Sequence, residues 1–232
     1  QQRKKGIIYS VNSWSGNFYM HTNEDAEDFK ILISSNIESK IWKTYIPSQS
    51  ETMIGNLTFL NNWQIRSELK NALYKIYVKN LKTNKEEEII FTEETVYDSS
   101  VSLMQRDRET DDIYISYSTP KTPSRTFIYN LKTKEKKLVK EQIIPSGHNS
   151  NDFIVERLEC EGHDGRLIPI TITRKKTTKL DGNSNLLLYG YGSYGNSMSP
   201  SFSSTRLSII NRDIIWATAH IRGGMERGMK WW

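Results

Sequence analysis

Apolar and polar residues alternate along most of the first 150 positions, and one pattern recurs. Alternating segments at 76–79 and 126–129 each run into the same tetrad, Asn-Leu-Lys-Thr, at 80–83 and 130–133. A polar turn and a second apolar segment follow each tetrad, and a related segment starts near 28–33. Hairpins that recur about every 40 to 50 residues are typical of propeller blades. The pattern predicts a partial β-propeller over 1–150 with about three blades, where complete propellers have roughly 4 to 8. An ordinary antiparallel sandwich with a chance repeat is the alternative.

The pattern changes after residues 143–152, where Pro, Gly and Asn cluster and we place a domain boundary. Two alternating segments, 153–160 and 166–173, flank a Gly-containing connection and predict an antiparallel hairpin. Two later runs, 186–189 and 214–219, are apolar without alternation, as in buried parallel strands. Between these runs we expect a helix with Pro200 near its first turn. Residues 151–232 therefore predict the start of an α/β domain.

Composition and charge argue against a membrane protein and against a nucleic-acid-binding protein. The chain has 232 residues, 36% of them hydrophobic and 25% charged, and no apolar run long enough to cross a membrane. The net charge of +5 comes from scattered lysines, and the basic clusters at 134–137 and 174–176 lack interleaved aromatic residues. We therefore expect these clusters to be solvated surface, with no nucleic-acid or membrane partner. A single cysteine, Cys160, cannot form an internal disulfide, which fits a cytoplasmic setting.

Two glycine-rich runs carry the candidate chemistry. The first, Tyr-Gly-Tyr-Gly-Ser-Tyr-Gly, occupies 189–195, and the second, Arg-Gly-Gly-Met-Glu-Arg-Gly, occupies 222–228. Both runs, at this spacing, resemble the prolyl oligopeptidase family of serine peptidases and, within it, the oligopeptidase B subfamily. The resemblance covers essentially the whole chain. It implies the C-terminal blades of a β-propeller followed by the N-terminal part of an α/β-hydrolase domain. The implied activity is serine-type cleavage of short peptides after Lys or Arg, without a cofactor.

The resemblance also assigns roles to individual residues. It implies that the Tyr191 hydroxyl helps to form the oxyanion hole, and a phenol suits this role because it keeps its proton at neutral pH. Tyr194 matches a residue that walls the pocket for the substrate side chain. Arg222 and Glu226 are weaker binding candidates, since two charges in a glycine-rich loop can also pair with each other or fix the loop. Without the resemblance, Tyr191 would be read as a core aromatic residue with a satisfied hydroxyl.

The sequence contains no Gly-x-Ser-x-Gly nucleophile motif. His220 follows an apolar run, but α/β-hydrolases carry Ser, Asp and His in that order, so a histidine upstream of the nucleophile is misplaced for a base. The other histidines, His21, His148 and His163, show no metal-ligand spacing and are expected in solvated loops. We therefore expect a fragment that is inactive alone and that needs the C-terminal half of its hydrolase domain.

Two alternatives remain from other classes. Gly190, Gly192 and Gly195 formally match a dinucleotide-binding fingerprint, although Pro200 delays the helix that should follow at once. An inactive propeller that serves as an interaction module is the other alternative.

Overall fold

Three four-stranded antiparallel sheets follow one another along the chain. The computed structural model describes residues 3–91, 94–104 and 108–232, so the predicted propeller region is described except at 1–2, 92–93 and 105–107. In each sheet the strands pair in chain order. The first sheet contains β1 (Tyr9–Trp14), β2 (Asn17–Thr22), β3 (Lys30–Ser34) and β4 (Lys43–Ile46). The second contains β5 (Thr52–Leu60), β6 (Trp63–Lys70), β7 (Leu73–Asn80) and β8 (Glu86–Ile89). The third contains β9 (Asp98–Leu103), β10 (Asp112–Ser118), β11 (Arg125–Asn130) and β12 (Lys136–Glu141).

The repeated tetrad forms the same turn twice, between β7 and β8 and between β11 and β12. Asn80 Oδ1 accepts the backbone N–H groups of residues 82 and 83 at 3.0 Å each. Asn130 Oδ1 accepts those of residues 132 and 133 at 3.0 and 2.8 Å. An asparagine side chain that satisfies the backbone in this way favours a turn over continued strand. The predicted hairpin repeat is confirmed, and the earlier copy near 28–33 corresponds to β3, the matching third strand of its sheet.

The three sheets stack through their apolar faces. One cluster joins the first and second sheets around Tyr19, Ile31, Ile54 and Phe59. A second cluster joins the second and third sheets, where alternate residues of β10, Ile113 and Ile115, are fully buried. Burial at every second position is what the pleat of a strand requires when one face is covered. Stacked four-stranded antiparallel sheets are consistent with propeller blades.

The fourth sheet is mixed. Strands β13 (Phe153–Glu161) and β14 (Leu167–Lys175) form the predicted hairpin, and the sheet continues with β16 (Ile215–Ala219) and then β15 (Leu186–Tyr189). β16 runs antiparallel to β14 and parallel to β15. Helix α1 (Ser204–Ile210), the one α-helix in the described ranges, connects β15 to β16 and packs Leu207 and Ile210 beside Phe153. Short 3₁₀ turns occupy Ser150–Asp152 and Met229–Trp231.

The structure corrects two details of the sequence prediction for this sheet. β15 is parallel, as predicted, but it lies at the sheet edge, and Leu186 and Leu188 are exposed rather than buried. The helix begins at Ser204, capped by the Ser203 hydroxyl, so Pro200 precedes it instead of lying in its first turn. After the helix the chain takes a left-handed conformation at Asp213, with φ of 61°, where glycine would be easier.

Several polar residues also differ from expectation. His21 lies within β2, where its ring stacks on Phe29 and Nε2 lies 2.6 Å from the Ile54 carbonyl oxygen, so it is not a solvated loop residue. His148 likewise contacts a carbonyl oxygen through Nε2 and stacks on Phe153. Arg174 belongs to β14, is buried, and pairs with Glu156 at 3.0 Å. Across the described ranges, no helix is both long and apolar enough to span a membrane.

Candidate active-site wall

The run at 189–195 forms a turn at the carboxyl end of β15. Gly192, Tyr194 and Gly195 all have positive φ, so the chain reverses within a few residues. Tyr191 is 44% exposed and Tyr194 is 80% exposed. Among the described residues, nothing hydrogen-bonds to the Tyr191 hydroxyl. This phenol is therefore a free donor at a strand end, not a core aromatic residue with a satisfied hydroxyl. We call residues 189–198 the tyrosine turn.

The second glycine-rich run, 222–228, packs its backbone against the backbone of the tyrosine turn. The Gly195 N–H donates to the Gly223 carbonyl at 2.8 Å, and the Gly223 N–H donates to the Trp231 carbonyl at 2.8 Å. A Cβ added at Gly223 would overlap the Gly192 carbonyl, and the φ of 92° disfavours any other residue there. The two runs therefore need glycine because their backbones touch. Together they form a continuous wall. We call residues 222–228 the glycine clamp.

The two charged residues of the glycine clamp have different partners. Arg222 forms an ion pair with Asp164 in the β13–β14 connection and lies over the Trp231 ring, 5.2 Å from its centroid. Glu226 is 1% exposed, and its Oε1 accepts the Met198 N–H at 2.8 Å. Of the alternatives for these two residues, pairing with each other is not observed. Their contacts instead fix the clamp to the fourth sheet and to the end of the tyrosine turn.

A buried polar cluster lies behind the glycine clamp. The Arg157 guanidinium of β13 donates to Thr171 Oγ1 at 2.9 Å and to the Asn71 carbonyl, and it lies 3.2 Å from His220 Nε2. His220 Nε2 is also 2.8 Å from Thr171 Oγ1. Burial, together with the positive charge of Arg157, lowers the pKa of His220 to about 3. His220 is therefore neutral and enclosed at neutral pH, which agrees with its exclusion as a catalytic base.

Burial also shifts the two charged members of this cluster. It lowers the pKa of Arg157 to about 10, an effect that the charges of Glu159 and Glu226 oppose. It raises the pKa of Glu226 above its usual value, while the Met198 N–H and Arg157 oppose that rise. Each group thus supports the charge of the other within the interior.

The segment 222–232 also touches the first two sheets. Asp28, between β2 and β3, accepts the Met229 N–H at 2.6 Å through Oδ1 and the Glu51 N–H at 2.8 Å through Oδ2. Arg227 pairs with Glu51 at 2.9 Å and donates to the Leu167 carbonyl at 2.7 Å. The Ala72 N–H, in the β6–β7 turn, donates to the Glu226 carbonyl at 2.9 Å. One short segment therefore joins the first, second and fourth sheets.

Sequence reasoning missed Arg157, Asn71 and Asp28. Each is a polar residue in an ordinary strand or turn pattern, and each gains its role from a contact far away in the chain. Around Arg157 the sequence gives no signal, since arginine is ordinary at a polar position of an alternating strand. Nothing in the sequence around Asn71 indicates docking, because Asn-Ala simply forms a tight turn.

Comparisons with known proteins identify relatives of this chain in sequence and in structure. A family model described as "Prolyl oligopeptidase, N-terminal beta-propeller domain" matches residues 1–142. Dipeptidyl aminopeptidase BI of Pseudoxanthomonas mexicana is 30% identical over 99% of this chain, and Protease 2 of Moraxella lacunata is 29% identical over 100% of it. Among solved structures, oligopeptidase B from Trypanosoma brucei with covalently bound antipain, in a closed form, superposes with a TM-score of 0.91 at 25% identity over 100% of this chain.

The match covers only part of each relative. This chain spans 32% of the dipeptidyl aminopeptidase, 33% of Protease 2 and 34% of the oligopeptidase B chain. It therefore corresponds to about a third of the length of the proteins it resembles.

Proposed function

We propose that this chain, which belongs to the prolyl oligopeptidase family, supplies the substrate-screening blades and one active-site wall of a serine peptidase that acts on short peptides. The observation that carries the proposal is the tyrosine turn. It places the partly exposed Tyr191, with a free hydroxyl, at the carboxyl end of a parallel strand, where open α/β sheets build their sites.

The topology of the fourth sheet supports the same proposal. Its order is β13-β14-β16-β15, with an antiparallel opening followed by a parallel pair joined through α1. We interpret it as the opening of an α/β-hydrolase sheet in which the loop after β15 lies on the oxyanion side. A further strand would pair with the exposed edge of β15 and deliver the nucleophile. The serine, aspartate and histidine would then come from sequence other than these residues, and cleavage after Lys or Arg is part of the proposal.

In the proposed reaction, Tyr191 donates its hydroxyl to the carbonyl oxygen that gains negative charge as the serine attacks. A donor held in place before the reaction costs no reorganisation when that charge develops. Short peptides and a cytoplasmic setting complete the proposal. The dinucleotide alternative is not favoured, because α1 begins at Ser204 and the turn does not lead directly into a helix.

The test changes Tyr191 in an assembled enzyme, made by combining this chain with the segment that follows the matching region in Protease 2. Tyr191→Phe should lower kcat on an Arg-linked peptide reporter by roughly 10²- to 10³-fold with little change in KM, as expected for loss of one oxyanion donor. Tyr194→Phe is the matched control on the same turn and should change selectivity more than kcat. An unchanged kcat in Tyr191→Phe would remove this residue from the reaction.

A further inference from the structure

Glu226 contacts both the tyrosine turn and the second sheet. Its side-chain Oε1 accepts the Met198 N–H at 2.8 Å, directly after the glycine-rich part of the turn. Its backbone carbonyl accepts the Ala72 N–H at 2.9 Å from the hairpin between β6 and β7. With 1% exposure, Glu226 cannot reach a peptide in the site. The residue that resemblance suggested for binding is therefore enclosed between two structural elements.

The hairpin that contacts Glu226 is hydrogen-bonded at both of its central residues. Asn71 and Ala72 have φ of 50° and 61°, and Lys70 pairs with Leu73, which defines a two-residue turn of the kind that matches strand twist. The Asn71 carbonyl accepts from the half-buried Arg157, and the N–H of the same peptide group, that of Ala72, donates to the Glu226 carbonyl. The two ends of one peptide group of the second sheet are thus fixed, one to the fourth sheet and the other to the glycine clamp.

The tyrosine turn, in turn, is held to the same clamp at successive points. Gly195 donates to the Gly223 carbonyl at 2.8 Å, and the Met225 N–H donates to Ser197 Oγ at 3.2 Å. The Met198 bond to Glu226 is the one in which the acceptor carries a charge, and hydrogen bonds to charged groups are about twice as strong as neutral ones. Loss of the Glu226 carboxylate would therefore release the end of the turn more than loss of any other single contact.

We infer that Glu226 is a positioning residue for the tyrosine turn that carries Tyr191. Through Glu226, the ordered conformation of this turn depends on the contact between the Asn71–Ala72 hairpin and the glycine clamp. Glu226 acts through the backbone of residues 195–198 and does not touch substrate. The inference rests on the proposed function only for its catalytic consequence. The physical link between hairpin and turn is measurable without any activity.

Amide hydrogen exchange of the chain tests the link directly. In Glu226→Ala, the Met198 amide should exchange about tenfold faster or more, because its charged acceptor is gone. The Gly195 and Ala72 amides should also lose protection, since the turn and the hairpin are coupled. Glu226→Gln keeps an acceptor oxygen of the same reach but loses the charge, so it should lose protection at the same three amides to a smaller extent. Glu38→Ala, in an exposed loop of the first sheet, is the matched control.

Two outcomes would overturn the inference. Loss of protection at Met198 alone, with Gly195 and Ala72 unchanged, would make Glu226 a local cap without a link. Loss of protection at Met198 in a folded Glu226→Gln, with Gly195 and Ala72 unchanged, would likewise show a local bond without a link. The second outcome decides the question even if Glu226→Ala fails to fold.

A double-mutant cycle in the assembled peptidase tests the catalytic consequence. Glu226→Ala should lower kcat about 10- to 100-fold with little change in KM, as for a misplaced catalytic group, and Glu226→Gln should have a smaller effect. In a Tyr191→Phe background, Glu226→Ala should have less than about a twofold further effect, because both changes act on one donor. Fully additive effects would contradict action through Tyr191. If Tyr191→Phe itself has no effect, the proposed function fails while the exchange result stands.

Discussion

His220 illustrates how much a buried residue depends on neighbours that sequence cannot identify. Chain order alone excludes it as a catalytic base, and that conclusion agrees with its neutral, enclosed state. Its actual contacts, Thr171 on β14 and Arg157 on β13, follow from strand register and not from any local motif. A histidine after an apolar run is compatible with a ligand, a base or a core residue. Its complete burial beside Arg157 and Thr171 identifies it as an enclosed interior residue.

The pH dependence of stability should report this burial. The pKa of His220 is about 3 in the folded chain against an ordinary 6.5, so the unfolded chain binds an extra proton as pH falls below 6.5. His220 should therefore lower the free energy of unfolding by up to about 1.4 kcal/mol per pH unit between pH 6.5 and 3. Urea denaturation of the wild type and of His220→Gln at pH 7 and pH 5 measures the difference.

The comparison with the variant isolates His220 from other groups. Burial also lowers the pKa of His21, which acts in the same direction, and raises that of Glu226, which adds stability as pH falls toward its usual 4.5. Both groups are present in wild type and variant, so they cancel. Equal loss of stability in the two proteins from pH 7 to pH 5 would show that His220 is not held neutral.

At the scale of single elements, the hairpins of the first three sheets were predictable because their signals are local. Asn80 and Asn130 each satisfy two backbone N–H groups of their own turn, so the tetrad specifies the turn wherever it occurs. β15 was not fully predictable. A run of leucines identifies an apolar strand, but whether that strand is covered depends on which elements pack against it, and β15 lies at an edge.

Both tetrad asparagines should stabilise the chain, and Asn130 should contribute more because its Nδ2 also donates to Asp112 Oδ1 at 2.6 Å. Asn80→Ala and Asn130→Ala each remove an acceptor from two N–H groups, and each should lower the free energy of unfolding by about 0.5 to 2 kcal/mol, as capping losses do. Lys132→Ala, an exposed position in the second of these turns, is the control and should change stability by less than about 0.5 kcal/mol. Denaturant midpoints measure all three. An Asn80→Ala variant that is less stable than Asn130→Ala would contradict this order.

At the scale of the whole molecule, the glycine clamp could not be placed from sequence. Its contacts join residues far apart, such as Asp28 with Met229 and Asn71 with Arg157. The glycines themselves were visible, but their reason, close contact between the backbones of 189–195 and 222–228, requires both segments in place. The resemblance implied the oxyanion role proposed for Tyr191. The structure gave the exposure of Tyr191 and the contacts that hold its turn.

The central claim is that this chain contributes a catalytic wall without a nucleophile, and complementation tests it most directly. The chain and the hydrolase segment that follows the matching region in Protease 2 are produced separately, mixed, and followed by size-exclusion elution and cleavage of an Arg-linked reporter. Neither part alone should cleave the reporter. The mixture should co-elute and cleave it, and a serine-directed inhibitor should block cleavage, because only the mixture holds donor and nucleophile together. Inhibitor-sensitive turnover by this chain alone, or a co-eluting mixture with no turnover, would contradict it.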